Sequence, residues 1–73
     1  MYRVGNLVKY TMPKQKDEYL LIGNWWWMRP KGHFRKQWIY DGILFCLDQG
    51  SLKLLNYIPW VLEENLGSHF KSE

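Results

Sequence analysis

The 73-residue chain contains no alanine, one cysteine, three prolines and two histidines. Each scarcity excludes something. Alanine is the strongest helix former. Its absence, beside many Val, Ile, Trp, Tyr and Phe, argues against a helical bundle and for strands. A lone Cys46 cannot form an intrachain disulfide, so this is not a stapled secreted mini-domain. No apolar run approaches the roughly 18–20 residues of a membrane-spanning helix. The opening Met1-Tyr2-Arg3-Val4-Gly5-Asn6 lacks the basic-then-apolar design of a signal peptide. No glycosylation sequon begins at Asn6, Asn24, Asn56 or Asn65. The expectation is a soluble protein of a reducing cytoplasm. The length allows one small hydrophobic core and no second.

What is present is apolar and aromatic. Hydrophobic residues make up 47% of the chain and aromatics 18%, which excludes a disordered tail. The net charge of +3 is unevenly placed: residues 1–40 carry +6 and residues 41–73 carry −3. Positive density peaks at Arg29-Pro30-Lys31-Gly32-His33-Phe34-Arg35-Lys36, which has four fixed cations and no acid. Such a segment can meet phosphates or an acidic protein face. The plainer reading is a hairpin loop kept soluble by its charge.

The chain reads as short strands separated by turn signals. Leu7 to Met12 is a first run, with Val8, Tyr10 and Met12 on one face, ended by Pro13. Pro13 to Glu18 is polar and reads as an exposed loop. Tyr19 to Met28 is a second run, interrupted at Gly23-Asn24 by a bulge or sharp bend. Trp38 to Leu47 is a third. Within it, Asp41-Gly42 is either a hairpin turn or a bend with a glycine bulge in one long strand. The long strand is favoured, because three residues before Asp41 make a poor strand alone. Asp48-Gln49-Gly50-Ser51 reads as a three-residue hairpin with Gly50 in the left-handed region. Ser51 to Asn56 returns, Tyr57-Ile58-Pro59 reads as a turn or one 3₁₀ turn, and Trp60 to Glu64 as a short last strand. Residues 66–73 read as a flexible C-terminal tail that Phe70 could anchor, leaving residues 1–65 as the single domain.

This order predicts an all-β fold, a small five-stranded SH3-like barrel with one 3₁₀ turn before the last strand. An OB-like barrel usually needs more residues and a helix. Val4-Gly5-Asn6-Leu7-Val8-Lys9-Tyr10 resembles the "V-G-D-L-V-K-Y" opening of small SH3-like proteins of tailed bacteriophages. Ile43-Leu44-Phe45 with Asp48-Gln49-Gly50 is similar to their distal hairpin, and Trp60-Val61-Leu62-Glu63 to their closing strand. The resemblance covers about half the chain. Asn6 stands where the pattern has Asp, and the Trp25–Trp27 run with its basic loop lies outside the pattern. The resemblance implies a phage origin, with the host cytoplasm or the virion as its place. It implies no activity, since a shared fold does not fix function.

The residues offer little for catalysis. Cys46 lies in an apolar run and reads as an inert buried thiol. Glu63 and Glu64 are adjacent and point to opposite faces of a strand. No ligand spacing suits zinc, and the glycines are scattered rather than gathered into a phosphate loop. An enzyme, a metal and a cofactor are therefore not expected. Binding is better served. In a strand, Trp25 and Trp27 face one way and Trp26 the other, so at least one is exposed or lies under a loop. Under the plainer reading, the Pro13–Glu18 loop or the tail covers it. Under the functional reading, Trp25, Trp26, Trp27 and Trp38 supply interface anchors, and Arg29, Lys31, Phe34, Arg35 and Lys36 supply charge and a further ring. The expected role is a protein-interaction factor acting on a host or phage protein. The alternatives are a single-stranded DNA- or RNA-binding protein and a small virion component. Self-association is a further expectation, since a core this small is helped by a partner surface.

Overall fold

The computed structural model describes residues 1–11 and 17–69. They form five antiparallel strands: β1 Leu7–Tyr10, β2 Glu18–Met28, β3 Gln37–Asp48, β4 Ser51–Leu62 and β5 Leu66–His69. One 3₁₀ turn, Glu63–Asn65, links β4 to β5. No α-helix occurs among the described residues. The strands form one curled sheet in the order β4-β3-β2-β1-β5, a half-barrel whose free edges are β4 and β5.

The Asp41-Gly42 pair does not turn the chain. β3 runs unbroken through it, as Gly42 pairs with Ile22 on one side and Ile58 on the other. The irregularities fall on the neighbours of β3. Gly23 is the extra residue on β2, between the Ile22–Gly42 and Asn24–Asp41 pairs. On β4, Leu55 and the Pro59-Trp60 step are extra. Extra residues bend and twist a strand, which is how so short a sheet curls. Gly42 is required by close approach: a Cβ there would lie 2.1 Å from the Leu21 carbonyl oxygen.

Three boundaries differ from the sequence reading. Tyr57-Ile58-Pro59 is not a turn, because β4 continues through it to Leu62. Proline survives there because β4 is an edge strand and the step is bulged. The 3₁₀ turn lies at Glu63–Asn65 instead, so Trp60–Leu62 closes β4 rather than forming the last strand. The last strand is β5, which begins inside the expected tail. Leu66 pairs with Tyr10 and His69 with Val8, and Leu66 is buried in the core. The loop expected at Pro13 to Glu18 lies largely outside the described residues, as do Met12 and Phe70. The Asp48–Ser51 hairpin turns on two residues rather than three. Asp48 pairs with Ser51, and Gln49 and Gly50 both have positive φ, 51° and 80°, the pattern of a type I′ turn.

The inner face of the sheet holds the core: Val8, Leu20, Ile22, Tyr40, Leu44 and Val61, joined by Leu66. Cys46 is buried on this face too, opposite Glu18. The N-terminus is bolted across one end of the core. The Tyr2 backbone N–H donates to the Tyr40 hydroxyl at 2.9 Å, and the Tyr2 hydroxyl donates to the Gly67 carbonyl on β5. The Tyr2 and Tyr40 rings meet edge to face at 5.8 Å. Burial pushes both phenols above their ordinary value.

Candidate functional site

Beyond the core, β2 and β3 continue as a long hairpin whose tip carries the basic loop. The bulge at Gly23 sets the facing of the tryptophans. After it, Trp25 pairs with Tyr40, Trp26 with Ile39 and Trp27 with Trp38. Directly paired residues share a face, so Trp25, Trp27 and Trp38 lie on the inner face in line with buried Tyr40. Trp38 stands between the other two, with ring centroids 5.0 Å from Trp25 and 5.1 Å from Trp27. Trp38 is half-buried against the core, whereas Trp25 is 37% and Trp27 52% exposed. The inner face thus runs from closed core to open aromatic shelf. Aromatic pairs of this geometry contribute about 0.5–1.5 kcal/mol each beyond area burial, so the shelf is preorganised.

Trp26 does not join the shelf. It faces outward, where Trp60 of β4 meets it edge to face at 5.8 Å. Its indole N–H points at the Met28 sulfur, 2.9 Å away. Among the described residues this cover comes from Trp60; the loop and tail expected to supply it lie largely outside them. Ile39, the cross-strand partner of Trp26, is fully buried. The sequence reading placed Trp60 in a closing strand, and nothing in its spacing tied it to Trp26. The pairing needs the β4 bulge beside Pro59.

The basic loop closes the hairpin through Arg29 to Lys36. His33 N–H donates to the Pro30 carbonyl at 3.0 Å, and Gly32 takes φ 83°, where a side chain would be strained. Pro30 is buried, and Arg29, Lys31, Arg35 and Lys36 are exposed. Ion pairs between described residues join Met1 to Glu63, Lys9 to Asp17 and Lys53 to Asp48. None involves the loop's four cations. Phe34 at its crest is 99% exposed. Beside it, His33, Arg35, Lys36 and Gln37 line an open cleft of about 430 Å³ with Glu64 of the 3₁₀ turn. Glu64, His33 and Gln37 were not among the residues expected at a partner site; in the case of Glu64, only the fold brings residue 64 to this loop.

Of the nine residues expected at a partner site, eight therefore gather at one end of the molecule: the shelf Trp25, Trp27 and Trp38, and the loop's Arg29, Lys31, Phe34, Arg35 and Lys36. Trp26 is the exception, since it faces the other way. No group of three or more His, Cys, Asp or Glu able to hold a metal occurs among the described residues. Cys46 and the loop's His33 lie at opposite ends of β3. The strand between Gln37 and Cys46 alone spans about 30 Å. No helix among the described residues is long and apolar enough to cross a membrane. No family model, curated protein or solved structure matches the chain.

Proposed function

We propose that this chain is a non-enzymatic binding module of the small SH3-like kind, a phage-encoded factor that takes an acidic segment of a host or phage protein at the tip of its β2–β3 hairpin. The observation that carries this reading is the shelf itself. Trp25 and Trp27 stay exposed in a fixed geometry beside four cations that have no ion-pair partner among the described residues. Tryptophan and arginine dominate interface hot spots, and unpaired cations at the rim steer an acidic partner and speed its encounter. The strand order and the 3₁₀ turn before β5 support the SH3-like assignment.

The test is affinity capture from host and infected-cell lysates with wild type, Trp27→Ala and Arg35→Glu, identified by mass spectrometry. Partners lost with both variants support the reading. An identical set captured by all three overturns it. One observation favours a second reading: fully exposed Phe34 and Trp27 flank the cations, an arrangement that can stack bases while neutralising phosphates. Titration with single-stranded DNA and RNA at two salt concentrations, followed by Trp fluorescence, decides it. Salt-sensitive quenching supports nucleic acid, and no quenching at low salt removes it.

A further inference from the structure

The loop that joins β2 to β3 carries an arrangement that the tryptophan shelf does not explain. Phe34 stands at its crest, 99% exposed. A ring that free packs against neither core nor shelf, and its burial contributes nothing to the fold. The turn sets that exposure. Pro30 is buried at the base of the loop. The His33 N–H donates to the Pro30 carbonyl at 3.0 Å, and Gly32 takes the left-handed position between them at φ 83°. Lys31 precedes the ring and Arg35 and Lys36 follow it, all exposed. The segment from Arg29 to Lys36 includes no acid.

We propose that this crest is a membrane-docking tip, which seats Phe34 at the boundary of headgroups and acyl chains of an anionic lipid surface while the flanking cations meet lipid phosphates. Three observations select a lipid surface. First, an apolar group at the summit with cations on both flanks matches the layering of such a surface. Apolar side chains sit there about 5–10 Å deep, and basic ones remain with the headgroups. Second, Phe34 has no supporting neighbour. A protein pocket gains most from an anchor already held in place, whereas fluid acyl chains close around a ring in any rotamer. Third, the tip is free to arrive first. β2 and β3 pair as far as Met28 and Gln37, well past the end of their pairing with β1. Glu18 and Asp48 stand at the other end of these strands, with Asp17 beside them. Glu64 is the one carboxylate that lines the cleft beside the loop, and the loop's four cations outnumber it. This use of the tip goes beyond the protein-binding reading and does not rest on it: docking needs Phe34, whereas the shelf needs Trp25 and Trp27.

Co-sedimentation of the full chain with vesicles tests this. The expected result is binding to phosphatidylcholine vesicles that contain about one-third phosphatidylglycerol, weakened by salt, and none to phosphatidylcholine alone. Phe34→Ser is expected to weaken partitioning about tenfold or more, and Phe34→Leu to keep it within about threefold. Lys31→Gln combined with Lys36→Gln is expected to weaken it about twentyfold, at about fivefold per cation. All three positions are exposed, so circular dichroism should be unchanged. Trp25→Ala, on the shelf, should bind vesicles as wild type does, which separates a failure here from a failure of the protein-binding reading. A chain that stays in the supernatant with anionic vesicles at low salt overturns the proposal. So does a Phe34→Ser variant that binds as wild type does, because charge alone then accounts for the attraction. So does single-stranded DNA that strips the chain from vesicles at equal phosphate, which makes the tip a nucleic-acid site instead.

Discussion

The inner and outer faces of this sheet resemble each other in composition and differ in what covers them. Inside, Leu20, Ile22 and Tyr40 are closed over by the sheet's own curl and by the N-terminal Tyr2 strap. Outside, Leu21, Ile43 and Phe45 of the same strands are half-buried, beside lateral neighbours in the sheet. A one-residue slip exchanges the two faces of a strand, so a sheet apolar on both sides gains little register information from hydrophobicity. Register here is held by the bulge at Gly23, the glycine at 42 and the type I′ turn. The contrast teaches where to look for function: the curl closes one face, and among the described residues the aromatic tip and parts of the outer face stay open.

The largest expected effect lies where β2 and β3 touch. Gly42→Ala drives a methyl into the Leu21 carbonyl at 2.1 Å, and backbone has no alternative rotamer. Loss of cooperative urea unfolding is expected, with destabilisation above about 4 kcal/mol. Leu20→Ala, on the closed face, is expected to cost about 2–5 kcal/mol by the same measurement. Leu54→Lys with Tyr57→Lys, on the open face, should leave the folded chain's spectrum intact. Its urea midpoint should move far less than that of Leu20→Ala. If this pair unfolds the chain as Leu20→Ala does, the distinction between the faces is lost.

The tyrosines sharpen the comparison through pH. Tyr2 and Tyr40 are raised chiefly by burial, and Tyr57, on the outer face, chiefly by its hydrogen bond to Asp41. A phenol whose folded-state value exceeds its unfolded value stabilises the fold fully below the unfolded value, here 10.0. That contribution is lost as pH rises from there through the folded value. Stability measured by urea titration is therefore expected to be insensitive to these groups at neutral pH and to fall above about pH 10. Tyr40→Phe should blunt the fall more than Tyr57→Phe. The smallest effect belongs to the turn that sets the register of β4. Gln49 holds φ 51° without being glycine or asparagine. Gln49→Asn is expected to stabilise by about 0.5–1 kcal/mol, read as a modest rise in melting temperature.

Much of this was legible from residues alone. Strand content followed from the missing alanine and the β-branched and aromatic surplus. That β3 is one long strand followed from the short run before Asp41, although the bulge expected at Gly42 falls on the neighbouring strands instead, and the alternation of Trp25 and Trp27 against Trp26 followed from period two. Other features were not legible, for physical reasons. Pro59 looked like a terminator because its tolerance depends on β4 being an edge, a property of topology rather than of the local sequence. Leu66–His69 looked like a tail because Gly67 and Ser68 are poor strand formers; β1 pairing and the Tyr2 bond to Gly67 override that preference. The outer-face pairing of Trp26 with Trp60 joins residues 34 positions apart, beyond any periodicity. The continuous apolar stretch of β3 was visible, but that it leaves one face uncovered emerges only once the sheet is seen to be a single layer.

The most direct measurement uses the five tryptophans as reporters of the two regions. Each indole N–H gives its own nuclear magnetic resonance signal, and a soluble paramagnetic agent broadens those that solvent reaches. In the single chain, Trp27 at 52% and Trp60 at 46% are almost equally exposed. If the tip is an open aromatic shelf resting on Trp38, Trp25 and Trp27 broaden as Trp60 does, while half-buried Trp38 and Trp26 stay sharper. Trp38 broadening as strongly as Trp27 contradicts the account.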